Sequence, residues 1–326
     1  MNAPPRPGTP LDPIVDRYLQ WKRALGRSYL GVERVLVSLL QLMHECGAAD
    51  LDQNLFNAWC KSFAGLTANV RRNRQREVRN FCLYRQRTEP NCFVPDIHRF
   101  PPPCPHCAPV IFGPDAVAEM LAIAEQQQPT PGSPLLPAVL RLAVVLLYSA
   151  GLRRGELLRL TVADADPKAG VLRIRESKFH KSRFVPLSPD AWRELRVYLR
   201  QRLVPPLSTS PDSPLLCNCK GGLRPYTGTG LSRGLHLLIR SANVQSPDGR
   251  RPRVHDFRHS FAVGALLRWY RQGADVQSNL PKLAMYMGHV SIVSTAYYLK
   301  WMPDIAAAAS DRFEAHFGHL ISGGTS

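Results

Sequence analysis

Tyr298 stands nine residues after His289, in the run Met287-Gly288-His289-Val290-Ser291-Ile292-Val293-Ser294-Thr295-Ala296-Tyr297-Tyr298. A tyrosine hydroxyl becomes a nucleophile when an electrophile is held in front of it. Three cationic clusters upstream have the residue types to do so: Gly151-Leu152-Arg153-Arg154-Gly155-Glu156, Ser177-Lys178-Phe179-His180-Lys181 and His255-Asp256-Phe257-Arg258-His259. The electrophile that suits them is a phosphodiester, whose non-bridging oxygens gain charge in transesterification. Guanidiniums stay cationic and bond two oxygens in a planar fork, so Arg153 and Arg258 can clamp one phosphate from separate elements. His255 precedes Arg258 by three residues, shares its face if both lie on one helical turn, and can move a proton near neutral pH. Lys178, at a hairpin tip, can reach into a groove and protonate a leaving oxygen. Glu156, one turn after Arg153, can fix that guanidinium.

Each residue also has a plainer reading. Arg153 and Arg154 alone suit a solvated helix end, and His255 a helix cap. Lys178, Lys181 and Arg183 suit a basic hairpin touching a nucleic-acid backbone. His289 after a glycine suits a helix terminus, and Tyr297 and Tyr298 suit core positions. Taken one at a time, most of these residues fit the plainer reading better. Their joint occurrence, in this order and in this chain, favours the chemical one.

The chain carries a formal charge of +17, from 42 Lys plus Arg against 25 Asp plus Glu. Such an excess repels itself on folding and implies a polyanionic partner. A membrane surface is the competing partner, but the longest apolar run, Leu142 to Tyr148, is far too short to span a bilayer. The first residues have no apolar segment of the kind that directs secretion. The expectation is a soluble cytoplasmic protein that binds nucleic acid. Its eight cysteines are then thiols rather than a disulfide framework. Cys92, His98, Cys104, His106 and Cys107 hold one CxxC at irregular spacing in a proline-rich stretch. A plain loop is the better reading there, with zinc as its rival.

The elements that must position these residues fall into two parts. Residues 1–12 are proline-rich and expected to be disordered, and 13–88 read as a small helical domain. Its fourth helix carries Arg71, Arg72, Arg74, Arg76, Arg79, Arg85 and Arg87. Residues 89–110 break helix and strand alike and read as a linker. From 111 to 326 the pattern is mostly helical. Val171 to Arg175 and Phe184 to Leu187 alternate as two strands of a hairpin with Lys178 to Arg183 at its tip. Helices are expected from Pro114, over 137–150, 156–160, 190–203, 231–242, 257–270, 280–287, 292–300 and 304–317. The fold class is mainly α with a small antiparallel β-sheet.

On these residues the chain resembles the tyrosine recombinases, or phage integrases. The resemblance runs from about Gly113 to Phe317. It rests on Ser149-Ala150-Gly151-Leu152-Arg153-Arg154-Gly155-Glu156-Leu157, on Lys178 through Arg183-Phe184-Val185-Pro186-Leu187, on His255-Asp256-Phe257-Arg258-His259-Ser260-Phe261-Ala262, and on Met287-Gly288-His289 to Tyr298. It implies a helical core-binding domain ahead of a catalytic domain. It also implies that Arg153 and Arg258 bind the scissile phosphate, with His255 as the first histidine, His289 as the second, Lys178 as general acid, Tyr298 as nucleophile and Glu156 in support. Lys181 is a rival for the general-acid role, because the residues around Lys178 depart from the family pattern, and Tyr297 is a weaker rival to Tyr298.

The implied reaction is site-specific recombination of a mobile element through a 3′-phosphotyrosyl intermediate. It takes double-stranded DNA and uses no cofactor and no metal. Strand exchange implies a homo-oligomer, a tetramer, on DNA, with sibling recombinases admitted as partners and no membrane. The 304–317 helix is expected to pack on a neighbouring subunit. Two other functions compete: a type IB topoisomerase using the same residues, and a non-catalytic DNA-binding protein of the same fold.

Overall fold

The computed structural model describes residues 8–26, 29–104, 107–166, 168–175, 182–246, 248–289, 291, 295, 296 and 298. The chain divides into two compact units, Met1–Cys107 and Ala108–Ser326.

The first unit holds α1 (Asp12–Ala24), α2 (Leu30–Glu45), α3 (Gln53–Lys61) and α4 (Ala68–Arg85). Their apolar stripes meet in one core that includes Tyr18, Leu36, Leu39, Met43, Trp59, Val78 and Phe81. The order begins earlier than expected: Leu11 is buried in that core, and Thr9 donates from its hydroxyl to Asp12 at the head of α1. The proline-rich stretch is also not a free tether over 89–110. Phe100 is buried in the same core, and Phe93, Val94 and Ile97 pack against it.

Arginines of α4 hold that stretch in place. Arg72 donates to the Pro101 carbonyl at 2.7 Å and Arg79 to that of Pro95. Arg85 is buried and pairs with Asp50 and Glu89. The helix read as one very basic face therefore spends part of its charge on its own unit. Arg76 stays exposed.

The second unit is built round α6 (Leu136–Ser149), which follows α5 (Pro114–Glu125). Helix α6 is apolar on nearly every side and forms the centre of the core, as a helix without a polar face must. Next come α7 (Arg154–Arg159), then β1 (Ala165–Asp166), β2 (Val171–Ile174) and β3 (Arg183–Pro186). These strands form an antiparallel sheet in that order, with Leu172 opposite Val185 and Ile174 opposite Arg183. Then follow α8 (Pro189–Arg202), the short pair β4 (Cys217–Asn218) and β5 (Arg224–Pro225), α9 (Gly228–Ser241), α10 (Asp256–Arg271) and α11 (Val276–Met287). The hairpin stands where expected, while β1 and the β4–β5 pair are additions to the sequence reading.

Helices α6, α8, α9 and α10 pack on one another or on α5, and α11 packs on α10 and on β3. The hairpin tip, with Lys178 and Lys181, lies outside the described residues, as do Tyr297, most of the expected 292–300 helix and all of 304–317. Near its start this unit is anchored at Phe112, whose N–H donates to Ser260 Oγ on α10 at 2.8 Å and whose ring stacks on Phe257. Among the described residues no helix is long and apolar enough to cross a membrane.

Candidate active site

The site is organised by the C-terminus of α11. A helix end leaves its last carbonyls without intrahelical donors, and here each of them has a partner. Gly288, at φ +66°, turns the chain into the left-handed region, so that its own N–H and that of His289 close on Met285 and Ala284. The next three carbonyls go to three arginines. Tyr286 accepts from Arg183 Nε at 2.8 Å, Met287 from Arg258 Nη2 at 2.5 Å, and Gly288 from Arg153 Nη2 at 2.9 Å. Three guanidiniums from different elements therefore surround the backbone that carries His289.

Arg153 directly precedes α7, whose third residue is Glu156. The Glu156 carboxylate accepts the Arg153 backbone N–H at 3.0 Å, tying down the start of the helix, and Arg153 Nη1 at 2.7 Å. It also accepts a two-bond fork from Arg183, Nη1 at 3.0 Å and Nη2 at 2.9 Å. Burial opposes ionisation of Glu156, but the Arg183 fork and the Arg153 donors outweigh it and bring its pKa down to about 2. The carboxylate is thus ionised and shared by two cations.

Arg258 is only 1% exposed, which would be costly for an unpaired cation. It bridges two carbonyls, that of Gly151 at 2.6 Å through Nη1 and that of Met287 through Nη2. Burial, followed by the charge of Arg153, pushes its pKa down to about 9, so it stays cationic at neutral pH. Gly151, at φ +58°, leaves no room for a side chain, since a Cβ there would meet the Phe261 ring at 2.4 Å.

His255 sits just before α10 and makes no side-chain capping bond. The Asp256 carboxylate instead takes the backbone N–H of Arg253 at 2.9 Å, which leaves the imidazole to the site. Part of the His255 surface is open, yet burial of the ring and then the Arg258 charge lower its pKa. His289 is lowered to about 4 by burial and by Arg258 and Arg153. Its Nδ1 lies 2.7 Å from the Thr295 hydroxyl, which fixes the ring and leaves Nε2 as its other nitrogen. Both histidines are neutral near pH 7 and able to accept a proton.

Tyr298 is 3% exposed and packs with Ala262, Val263, Leu266 and Met287 of α10 and α11. Its ring also lies 6.4 Å from that of His289 and 5.3 Å from that of His259, centroid to centroid, and its charge would be felt by Arg258. The tyrosine is therefore both a packed core residue and a neighbour of His259, His289 and Arg258.

The structure brings Arg153, Glu156, His255, Arg258, His289 and Tyr298 into one region, while Lys178 lies outside the described residues. Among those residues no three of His, Cys, Asp and Glu gather as a metal would need. Three participants escaped the sequence reading of the site. Arg183 reads in the sequence as part of a basic hairpin touching a nucleic-acid backbone, but it shares its face of β3 with Val185, which is fully buried, whereas Phe184 is 67% exposed. Strand alternation carried that signal. His259 packs edge-on to both His255 and Tyr298, with a buried Nδ1 that has no hydrogen-bond partner among the described residues. Thr295, fully buried against His289, had no sequence signal.

Residues 112–303 match the model of the phage integrase family. A protein of Sinorhizobium fredii named as an integrase/recombinase is 30% identical over 302 residues, covering 92% of this chain and 96% of its own. The tyrosine recombinase XerA of Pyrococcus furiosus is 32% identical over 165 residues, about half of each chain (49% and 49%). Among solved structures, the Tn1549 transposon integrase in complex with a circular-intermediate DNA has the same fold. Its TM-score is 0.62 at 17% identity, over 92% of this chain and 99% of that one.

Proposed function

The chain belongs to the phage integrase family, and from that premise we propose that it is a site-specific DNA recombinase whose nucleophile is Tyr298. The observation that carries this reading is the convergence of Arg153 and Arg258 on the end of α11, beside His289 and Tyr298. Three guanidiniums meet there and one carboxylate, Glu156, pairs with only two of them, so the site holds a surplus of positive charge and favours an anion.

In the cleavage step, the Tyr298 oxygen attacks the scissile phosphorus in line. The Tyr–O–P bond forms as the bond from phosphorus to the 5′-oxygen breaks, leaving a 3′-phosphotyrosyl enzyme and a free 5′-hydroxyl. Arg153 and Arg258 hold the non-bridging oxygens, with His289 as a third donor. The tyrosine proton passes to a neutral histidine of the site, His255 in this reading, and Lys178 supplies the proton taken up by the 5′-oxygen. A 5′-hydroxyl from a partner strand reverses the attack and seals the exchanged strand. The ester conserves the energy of the broken bond, so neither nucleotide nor metal is consumed.

Double-stranded DNA is the proposed substrate, and the cytoplasm is the proposed location. Away from the site, Arg233, His236, Arg240 and Arg251 line a concavity of about 470 Å³ on α9 and the segment after it. No acidic side chain is among the residues lining it, which suits a phosphate backbone. Exchange of two duplexes calls for several protomers, and a tetramer on paired sites is the proposed assembly, with the 304–317 segment packing between subunits.

Nicked suicide substrates bearing the element's ends test the reaction. Wild type is expected to form a covalent protein–DNA adduct and Tyr298→Phe none. Equal adduct from both would remove Tyr298 from the mechanism. Relaxation of a plasmid with no cognate site would point to topoisomerase activity instead. Sedimentation of the DNA complex reads the assembly, where a single protomer per paired site would reject the tetramer. Assembly undiminished after deletion of residues beyond Lys300 would reject the packing of that segment.

A further inference from the structure

Among the three arginines that meet the end of α11, Arg183 differs from the other two. All three of its nitrogens are engaged inside the protein: Nε on the Tyr286 carbonyl, Nη1 and Nη2 on the two oxygens of Glu156. Its side chain is 11% exposed, against 24% for Arg153. A guanidinium bound in this way has little left to offer a phosphate.

What it does offer is a connection. Arg183 opens β3, at the foot of the hairpin formed by β2 and β3. Its fork on Glu156 fixes the carboxylate that in turn holds the Arg153 backbone and guanidinium. Arg153 returns to α11 through the Gly288 carbonyl, and Arg183 reaches the same helix end through Tyr286. The circuit is closed: hairpin foot, α7 and α11 cannot shift independently without breaking a charge-assisted bond. Gly288 completes it, because a Cβ there would lie 2.9 Å from Arg183 Nη1. That residue is glycine for its φ and for the guanidinium lying against it.

We propose that Arg183 is a positioning residue for strand cleavage. It fixes Glu156, and through Glu156 sets Arg153 against the helix end that carries His289, so that both address one phosphate. The proposal rests on the recombinase reading above. Lysine cannot replace it, since a point ammonium cannot make a planar fork and hold a carbonyl on a third side at once.

The test is single-turnover cleavage of a nicked suicide substrate at saturating DNA, normalised to folded protein. Arg183→Met is expected to lower the cleavage rate about 100-fold, the cost of a displacement of roughly 1 Å in a catalytic group. DNA affinity should stay within about threefold, since the Arg183 side chain is only 11% exposed and each of its nitrogens already serves a group inside the protein. Arg183→Lys should recover less than about a tenth of the lost rate. Because the action runs through Glu156, adding Glu156→Gln to Arg183→Met should slow cleavage little further, whereas independent residues would give multiplied losses. The acid limb of the rate–pH profile should also move upward in Arg183→Met, as Glu156 loses its principal partner.

A merely structural arginine would lower the melting temperature and leave the rate per folded molecule and the pH profile unchanged. That result, or multiplied losses in the double variant, overturns the proposal. If Arg183→Met does not fold, Glu156→Gln and Gly288→Ala break the same circuit, and wild-type cleavage rates in both would equally overturn it. Absence of adduct from wild type, with Tyr298→Phe as reference, would reject the recombinase reading and this inference with it. An active wild type matched by Arg183→Met would reject the inference alone.

Discussion

Arginine does different things in the two units. On α4 each engaged guanidinium has a partner of its own: Arg72 and Arg79 take carbonyls of the proline-rich stretch, and Arg85 takes Asp50 and Glu89. Arg74 lies over the Phe63 ring at 5.2 Å. In the second unit Arg153, Arg183 and Arg258 converge on one helix end, and the first two share one carboxylate. Dispersed arginines staple local backbone. Convergent ones create a place where positive charge is in surplus, the place proposed above for a phosphate. The arginines that look alike in the sequence are thus divided between holding the fold and awaiting a ligand.

The sharpest way to break this contrast is to remove a convergent arginine. Arg258→Gln should lower adduct formation about 1,000-fold, the upper range for loss of one oxyanion donor. It should also destabilise the second unit, since the Gly151 and Met287 carbonyls lose a cationic donor. Adduct within tenfold of wild type would mean that the convergence is not the catalytic pocket. Gly288→Ala comes next. The left-handed backbone costs an alanine about 1–2 kcal/mol, and the displaced Arg183 should slow cleavage about tenfold or more. Wild-type stability and rate together would show that the helix end tolerates what the geometry forbids.

A dispersed arginine should behave in the opposite way. Arg85→Ala should cost the first unit about 1–2 kcal/mol by chemical denaturation, a discounted figure because its acidic partners are solvent-exposed. The cleavage rate at saturating DNA should not change, and a large rate loss would erase the distinction between the units. Acid titration separates them further. His259 and His289 have folded pKa values of about 4, below the ordinary 6.5, so the unfolded chain binds their protons first. The stability they confer by staying neutral is present above pH 6.5 and is lost as pH falls towards 4. Glu156, depressed to about 2, loses its contribution only below its ordinary 4.5. Melting of the second unit should therefore weaken from pH 6.5 downward, and less so in His259→Asn. A flat profile would contradict the burial of these rings. The smallest effect belongs to Arg76, exposed on α4. If it contacts a phosphate, Arg76→Ala should reduce the log–log salt slope of DNA binding by about 0.9, whereas an unchanged slope would leave the first unit without a contact there.

The fold class, and the residues that the structure gathers into the candidate site, were legible because they are written as local signals. The apolar run of α6, the alternation in β2 and β3, and the spacing from His255 to Arg258 and from His289 to Tyr298 each lie within one short window of sequence. What escaped depends on distant pairings. That Arg85 would meet Asp50, or that Arg72 and Arg79 would pin a stretch of prolines, follows from packing that no window of sequence contains. The same holds for Arg183 and Glu156, 27 residues apart. Arg183 nevertheless left a trace, since it occupies the buried phase of its strand. A charged residue in that phase should be read as having a buried partner.

The join between the units has a mechanical consequence. The chain leaves Cys107 and reaches Phe112 within a few residues, and Phe112 is clipped to α10 by its N–H on Ser260 and its ring on Phe257. Phe257 is the direct neighbour of Arg258. Tension carried along that short stretch meets Arg250 at the Ala108 carbonyl and the buried Val110, and then the root of α10, the helix that bears Arg258. The connection acts as a handle fixed to the working part of the tool.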